Sequence, residues 1–238
     1  MSRLVAAGLS LTHLLWGLSL LLDPLQYIGK PVVPVLFAAI HFATAIMIAS
    51  KRFRVYGAWL SVLILSYYWA FVKPREPIAE PQSVGILAIS TILLEPQLRR
   101  FFKGRLSDWP LLAARLGVAY PFFEWGLDAL RNPHHFRSYL AANLITQPLM
   151  QSMGPGNLVL ALGVFEVGLA LLLAFGLLVR IDTIVAFAAL VVFSLVARYP
   201  LALPQDIALA AAVIFLRIGG SGPYSLDHML KRFFSSSL

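Results

Sequence analysis

The sequence predicts an all-α membrane protein: a polytopic bundle of about eight transmembrane helices built as two pseudo-repeated four-helix halves. Of its 238 residues, 59% are hydrophobic and 13% charged, and the mean hydropathy is +0.80. Soluble domains are about half apolar and about one quarter charged. Apolar runs follow one another along the chain, and residues such as Pro and Gly mark the breaks between them.

The apolar runs give the membrane topology. A spanning helix needs about 20 mainly apolar residues. The side that holds both termini collects roughly twice as many Lys and Arg residues as the other side, which places both termini in the cytoplasm of a multi-pass cell-membrane protein. A further segment, 136–153, is too polar to span and predicts one amphipathic helix on the outer face. The eight predicted spans are roughly 3–22, 32–50, 55–72, 83–98, 111–130, 157–178, 182–197 and 204–218.

Charge and cysteine content exclude several classes of function. The formal net charge is +8, but the basic residues lie in short loops beside apolar runs, which indicates topology and the lipid bilayer as partner, with no nucleic acid. The chain has no cysteine, which excludes disulfides, thiolate catalysis and iron–sulfur clusters. His134 and His135 are adjacent and face different ways on a helix, so no metal site is predicted.

A repeated frame divides the chain into halves. Trp16 and Trp125 each open a Trp-Gly-Leu sequence that is followed by proline at the same spacing. Further along, 35–50 can be laid on 159–175, which puts His41 opposite Glu166. An even number of spans in each half makes such a repeat parallel. The predicted halves are 1–105, a diverged copy, and 110–238, which ends in an amphipathic tail.

Three ionisable residues are predicted deep in the membrane. His13, His41 and Glu166 fall near the middle of their spans, where an ionisable group costs roughly 2.5–3.5 kcal/mol. They predict a hydrogen-bonded His–Glu cluster around a small polar molecule, or buried polar residues that bond one another across helices. Two histidines on adjacent helices also suit haem b, but no spacing supports it and we do not expect it.

Two acids occupy the outer end of the fifth span. Glu124 and Asp128 are one helical turn apart, and their proximity disfavours joint ionisation. One of them can then hold a proton, which suits a proton relay to or from a quinol. The alternative is a water-filled vestibule, or a structural pairing of these acids with Arg131 or Arg137.

Aromatic residues cluster near the outer ends of the spans. They predict an aromatic belt at the interface, or the walls of a quinone-sized slot. At the opposite end of the fifth span, Arg115 is expected to extend to the membrane surface beside Trp109. The aromatic residues in question include Trp16, Tyr67, Tyr68 and Trp125.

The second half resembles the DoxX family of small membrane proteins over about 115–230. The likeness rests on Arg115-Leu116, on a helix that carries Glu166 and runs through Gly176-Leu177 to Arg180, and on a closing Gly-Pro-x-Ser-Leu-Asp that begins at Gly222. The family includes the DoxD-type subunit of thiosulfate:quinone oxidoreductase. The first half has His41 in place of the glutamate and lacks the closing motif.

The resemblance implies a membrane subunit of a quinone-linked oxidoreductase, similar to the thiosulfate:quinone type and joined to other subunits of a membrane complex. Quinone would be the cofactor, beside His13 and the four aromatic residues. The alternatives are a non-catalytic anchor or accessory subunit of a respiratory complex and, ranked last, a small-solute transporter. The implied proton-handling residues are Glu124, Asp128, His41 and Glu166, and the implied thiosulfate-binding residues are Arg131 and Arg137.

Overall fold

A computed structural model describes residues 2–22, 32–72, 82–102, 109–141, 146–196 and 203–235. Helices account for nearly all of this part of the chain, and it contains no strand. The all-α prediction is therefore confirmed.

Most helix boundaries agree with the predicted spans to within a few residues. A π-helical turn, Tyr68–Val72, extends α3, and a 3₁₀ turn, Ile92–Leu94, separates α4 from α5 inside the predicted fourth span. Along the described ranges the α-helices are α1 Ser2–Leu22, α2 Val32–Ala49, α3 Arg54–Tyr67, α4 Gln82–Thr91, α5 Glu95–Phe101, α6 Trp109–Arg131, α7 Pro133–Ala141, α8 Gln147–Met153, α9 Pro155–Phe175, α10 Val179–Val196, α11 Leu203–Gly219 and α12 Leu226–Ser235.

Among the described helices, two, α1 and α9, are both long and apolar enough to cross a bilayer, and α2 contains a shorter apolar stretch, Pro34–Ala49. The number of eight crossings stays a prediction.

The segment predicted as one amphipathic helix over 136–153 is divided. Helix α7 begins at Pro133, before the predicted start, and ends at Ala141. Helix α8 begins at Gln147, with Pro148 in its first turn, where proline is tolerated because its missing N–H is not needed. The prediction of a single helix was wrong.

The long helices pack in an up-and-down arrangement. Helix α1 packs against α2 and α11, α4 packs against α6, and α6 packs against α9. Thr12 of α1 donates a hydrogen bond to the carbonyl of Pro204, and Gly8 lies against Ala211, so α1 and α11 are antiparallel. The first residues of α1 and the last residues of α11 therefore lie at the same end of the bundle.

Close contacts between the halves occur in matched pairs. Counting back eight residues from each tryptophan of the repeated frame gives Gly8 and Gly117. A methyl group at Gly8 would lie 2.5 Å from Ala211 Cβ on α11, and one at Gly117 would lie 2.9 Å from Ile89 Cγ1 on α4. Each half thus packs its first long helix against the fourth predicted span of the other half.

The glycine of each Trp-Gly-Leu frame also makes a matched contact. Gly17 faces the ring of Phe42 on α2, and Gly126 faces Val167 on α9. Phe42 and Val167 directly follow the two ionisable residues that the alignment places opposite each other. Small residues let membrane helices approach closely. These contacts agree with a parallel repeat, which itself stays a prediction, and Pro24 of the frame lies outside the described residues.

Candidate functional site

A chain of hydrogen bonds joins four helices inside the first half. His41 Nδ1 on α2 lies 2.8 Å from His13 Nδ1 on α1, and His13 Nε2 lies 2.8 Å from Ser61 Oγ on α3. Ser61 Oγ lies 2.8 Å from Ser90 Oγ on α4, which donates to the carbonyl of Ile86 at 2.8 Å. All four side chains are buried. We call this chain the His–Ser network.

The two serines of the His–Ser network were not predicted from the sequence. Serine is common in membrane helices, where its hydroxyl can bond to the preceding turn of its own helix. Ser90 makes such a bond, and its second bond to Ser61 arises only when α3 and α4 pack together. The spacing of Ser61 and Ser90 along the chain carries no signal of this contact.

Aromatic rings border the histidines. Trp16 is one turn beyond His13, and its ring lies edge-on to both imidazoles, at centroid distances of 5.4 Å to His13 and 5.6 Å to His41. Tyr67, at the end of α3, is 6.1 Å from the ring of Phe37. Tyr68 follows it and opens the π-helical turn. The structure therefore brings Trp16 to the histidines and leaves the two tyrosines about two turns beyond Ser61.

Glu166 lies on α9 in the second half and does not belong to the His–Ser network. Its side chain is 2% exposed, and its Oε2 atom has no hydrogen-bond partner in the described part of the chain. Trp125, on the neighbouring α6, packs edge-on against Phe122 and Phe193 at 5.9 Å from each ring. Of the three residues predicted to form one layer, His13 and His41 are hydrogen-bonded to each other. Glu166 is not bonded to them, and one of its carboxylate oxygens has no partner among the described residues.

The two acids near the end of α6 have separate partners. Tyr120 donates a hydrogen bond of 2.8 Å to Glu124 Oε1. Asp128 accepts one of 2.8 Å from the side-chain amide of Asn132, and its Oδ2 lies 3.1 Å from His135 Nδ1. The Asp128 side chain is 39% exposed. Among the described contacts, Asp128 is therefore paired with Asn132 and His135, in place of the arginines considered from the sequence.

Arg131 and Arg137 are both exposed, near the same end of α6. A methyl group at Gly156, in the first turn of α9, would lie 3.5 Å from Arg137 Nη2. Within the described ranges, no group of three or more His, Asp or Glu side chains is placed to hold a metal ion.

Arg115 is fully buried, so the prediction that it extends to the membrane surface was wrong. Its Nη1 donates to the carbonyl of Ala174 at 3.3 Å, and its Nη2 donates to the carbonyl of Tyr224. Ala174 lies near the end of α9, and Tyr224 precedes α12. A buried guanidinium needs hydrogen-bond acceptors, and carbonyls from two other segments supply them here.

The closing Gly-Pro-x-Ser-Leu-Asp motif completes this contact. Ser225 Oγ accepts from the backbone N–H of His228 at 3.2 Å, which caps α12. Asp227 instead accepts from the N–H groups of Leu178 and Val179 at the start of α10, at 2.9 and 3.3 Å. The sequence motifs at the two ends of the second half therefore meet in one place. We call this contact between Arg115, Gly176 and 224–227 the C-terminal clamp.

A tightly packed, strongly apolar helical bundle that buries histidines, a glutamate and an arginine defines a membrane protein with a polar interior. Residues 110–200, in the C-terminal half, match the family model of DoxX, which confirms the resemblance over those residues. The closing motif that begins at Gly222 lies outside the match, and the likeness to the DoxD-type subunit stays a prediction. Comparison with curated proteins and with solved structures gave no match. The His–Ser network lies outside the matched residues.

Proposed function

We propose that this chain is the membrane subunit of a quinone-linked oxidoreductase of the thiosulfate:quinone type, in which buried side chains handle protons. One observation carries the proposal: the His–Ser network runs unbroken through four helices and ends beside Trp16. Imidazoles are the side chains best suited to proton exchange near neutral pH. Some members of the DoxX family are linked to quinone-related oxidoreductases.

The residues present suit a quinone. Such a site is mostly apolar, with a few polar groups that orient the ring. His41 beside Trp16 would meet one oxygen of the ring in the first half, as the hydroxyl of the reduced form, and the unsatisfied Glu166 Oε2 offers a second polar anchor in the DoxX half. When bound, a quinone supplies two-electron, two-proton redox chemistry. Haem b is not part of the proposal, because the two imidazoles are hydrogen-bonded directly to each other.

The acids near the end of α6 would connect the interior with water. Asp128 is partly exposed, and Glu124 lies one turn deeper with a tyrosine hydroxyl as its donor. The two carboxyl groups are spaced for proton transfer between them along one helix face.

A thiosulfate dianion would bind at the same end. Arg131 and Arg137 are exposed cations at that end, and guanidinium groups pair well with oxyanions. Because the chain has no cysteine, a partner subunit would have to supply any redox group other than the quinone.

The quinone-dependent rate of a variant in which the Glu166 carboxyl group is replaced by an amide tests the proposal. The preparation is gently solubilised from native membranes, its quinone is identified by extraction and absorbance, and electron transfer from thiosulfate is followed. Glu166→Gln should lower the quinone-dependent rate by about 100-fold or more. Asp182→Asn is the control, because Asp182 is also a buried acid but lies in the first turn of α10, away from the His–Ser network. A quinone-free preparation with no quinone reduction would reject the proposal.

A non-catalytic anchor is the second candidate, and the C-terminal clamp favours it. Arg115 and Asp227 bind backbone groups of the chain itself, which is a structural role. An anchor would co-purify with a stoichiometric partner, and the partner's activity would be unchanged in Glu166→Gln.

A further inference from the structure

The direction of every hydrogen bond in the His–Ser network follows from its inner end. A backbone carbonyl only accepts, so Ser90 must donate its single hydroxyl proton to Ile86 O. The Ser90 oxygen therefore accepts a hydrogen bond from Ser61, which donates its single hydroxyl proton in that bond. Ser61 then has only a lone pair to offer to His13 Nε2.

The two histidine tautomers follow in turn. His13 Nε2 carries a proton and donates it to Ser61, so in the neutral ring His13 Nδ1 is a bare acceptor. His41 Nδ1, 2.8 Å away, must then be the protonated donor. The neutral His41 ring is left with a lone pair on Nε2, and this atom has no hydrogen-bond partner in the described part of the chain.

The surroundings of His41 Nε2 indicate what it meets. His41 is 8% exposed, beside Trp16. Phe37, one turn away on the same face of α2, packs against Tyr67, which packs in turn against Phe71 at 5.2 Å. A single basic atom with aromatic rings nearby suits a neutral aromatic ligand that carries a hydroxyl donor.

We propose that His41 Nε2 is the acceptor for the hydroxyl proton of an aromatic alcohol of the hydroquinone class; this ligand assignment rests on the proposed function. The site would thus favour the reduced form of the ligand. In the transfer the O–H bond breaks and an Nε2–H bond forms, and the Nδ1 proton of His41 moves to His13 Nδ1. The aryloxide keeps the electron pair, and the histidine pair carries one positive charge.

The network stores one proton and does not conduct it onward. Beyond His13 the bonds run through Ser61 and Ser90, both uncharged, to a carbonyl that cannot take up the proton. On α11, which packs against α1, the buried acid Asp206 accepts from Ser194 and not from the histidines. Ser61 and Ser90 are positioning residues: they fix the tautomer that leaves His41 Nε2 open.

Nitrogen NMR of the full chain, labelled with ¹⁵N-histidine, tests the tautomers without any ligand. We expect the proton of His41 on Nδ1 and that of His13 on Nε2. Ser61→Ala should abolish this assignment of the two protons, because His13 Nε2 loses its acceptor. Thr44→Val should leave it intact, since Thr44 is equally buried but donates within its own helix. A proton on Nε2 of His41 in the unmodified chain overturns the inference and leaves the proposed function standing.

Binding of an alkyl hydroquinone and its dimethyl ether, compared by calorimetry without oxygen, tests the ligand class. The hydroquinone should bind at least about tenfold more tightly than the ether. His41→Asn keeps an amide donor at the Nδ1 position and removes Nε2, so it should abolish the preference; exposed His134→Asn should not. Equal affinities, or no binding of either compound, overturn the ligand assignment. Selective hydroquinone binding without quinone-dependent electron transfer rejects only the proposed function.

Discussion

At the scale of single residues, several buried polar side chains bind partners that lie far away along the chain, as Ser61 does with Ser90. His13, His41 and Glu166 were located in the interior because ionisable groups in apolar runs stand out. Their partners could not be found in the same way, since a serine hydroxyl or a backbone carbonyl gives no sequence signal. Arg115 was assigned wrongly for this reason: its acceptors come from segments 59 and 109 residues away.

Gly176 is a residue at which even a small substitution should be costly. It adopts φ = 69°, and a methyl group there would lie 1.9 Å from Arg115 Nη1. Gly176→Ala should lower the free energy of unfolding by about 2 kcal/mol or more, since left-handed backbone alone costs about 1–2 kcal/mol. Thermal unfolding in detergent measures this.

Gly168→Ala is the matched control. Gly168 is helical, and no atom of a neighbouring residue lies within 4 Å of its added methyl group. The substitution should be neutral or stabilise the protein by about 0.5–1 kcal/mol, because alanine is the better helix former. Equal melting temperatures of the two variants would contradict the described geometry of the C-terminal clamp.

Replacement of the buried guanidinium should loosen the clamp. Arg115→Met removes the donor to two carbonyls, each of which costs about 1–3 kcal/mol when buried and unpaired. We expect lower thermal stability and faster proteolysis after Gly219. Arg180→Met, at an exposed position, should behave like the unmodified chain; an equal loss there would show that charge alone matters.

At the scale of helices, the sequence predicted the structure better than it predicted the partners of single buried residues. Apolar length located α1, α2, α6, α9 and α11 to within a few residues, because each has a continuous run of apolar residues. It failed where polar and apolar residues mix. Segment 136–153 became two short helices, and the fourth predicted span is interrupted by a 3₁₀ turn.

Gly17 and Gly126, the glycines of the two Trp-Gly-Leu frames, should differ in how well they tolerate substitution by alanine, although they occupy matched positions. A methyl group at Gly126 would lie 2.8 Å from the backbone N of Val167, which cannot move without shifting α9, and Gly126→Ala should cost about 1–3 kcal/mol. At Gly17 the nearest atoms belong to the Phe42 ring, at 2.7 Å, and a ring can turn aside. Gly17→Ala should therefore lower the melting temperature less; the reverse order would contradict the described packing.

For the whole molecule, the arrangement of helices depended on contacts that no span reveals. The repeated frame predicted two halves, but not that each half packs its first long helix on the fourth predicted span of the other. Apolar composition alone allows many pairings, and small residues such as Gly8 and Gly117 select among them by close approach.

Topology can be measured directly because the chain lacks cysteine. With eight crossings and cytoplasmic termini, a membrane-impermeant maleimide added to intact cells should label His134→Cys and Ser152→Cys. It should label Ser2→Cys, Lys51→Cys and Ser235→Cys only after lysis. The cysteine-free chain gives the background, and labelling of position 51 in intact cells would refute this topology.

The Arg115 guanidinium on α6 donates a hydrogen bond to the carbonyl of Tyr224, which is synthesised 109 residues later. Before Tyr224 is synthesised, the Arg115 guanidinium lacks one of the two carbonyl acceptors that it has in the complete chain. We therefore expect truncated chains that end before Tyr224 to be degraded faster than the full chain, because a buried donor without its acceptor destabilises the fold.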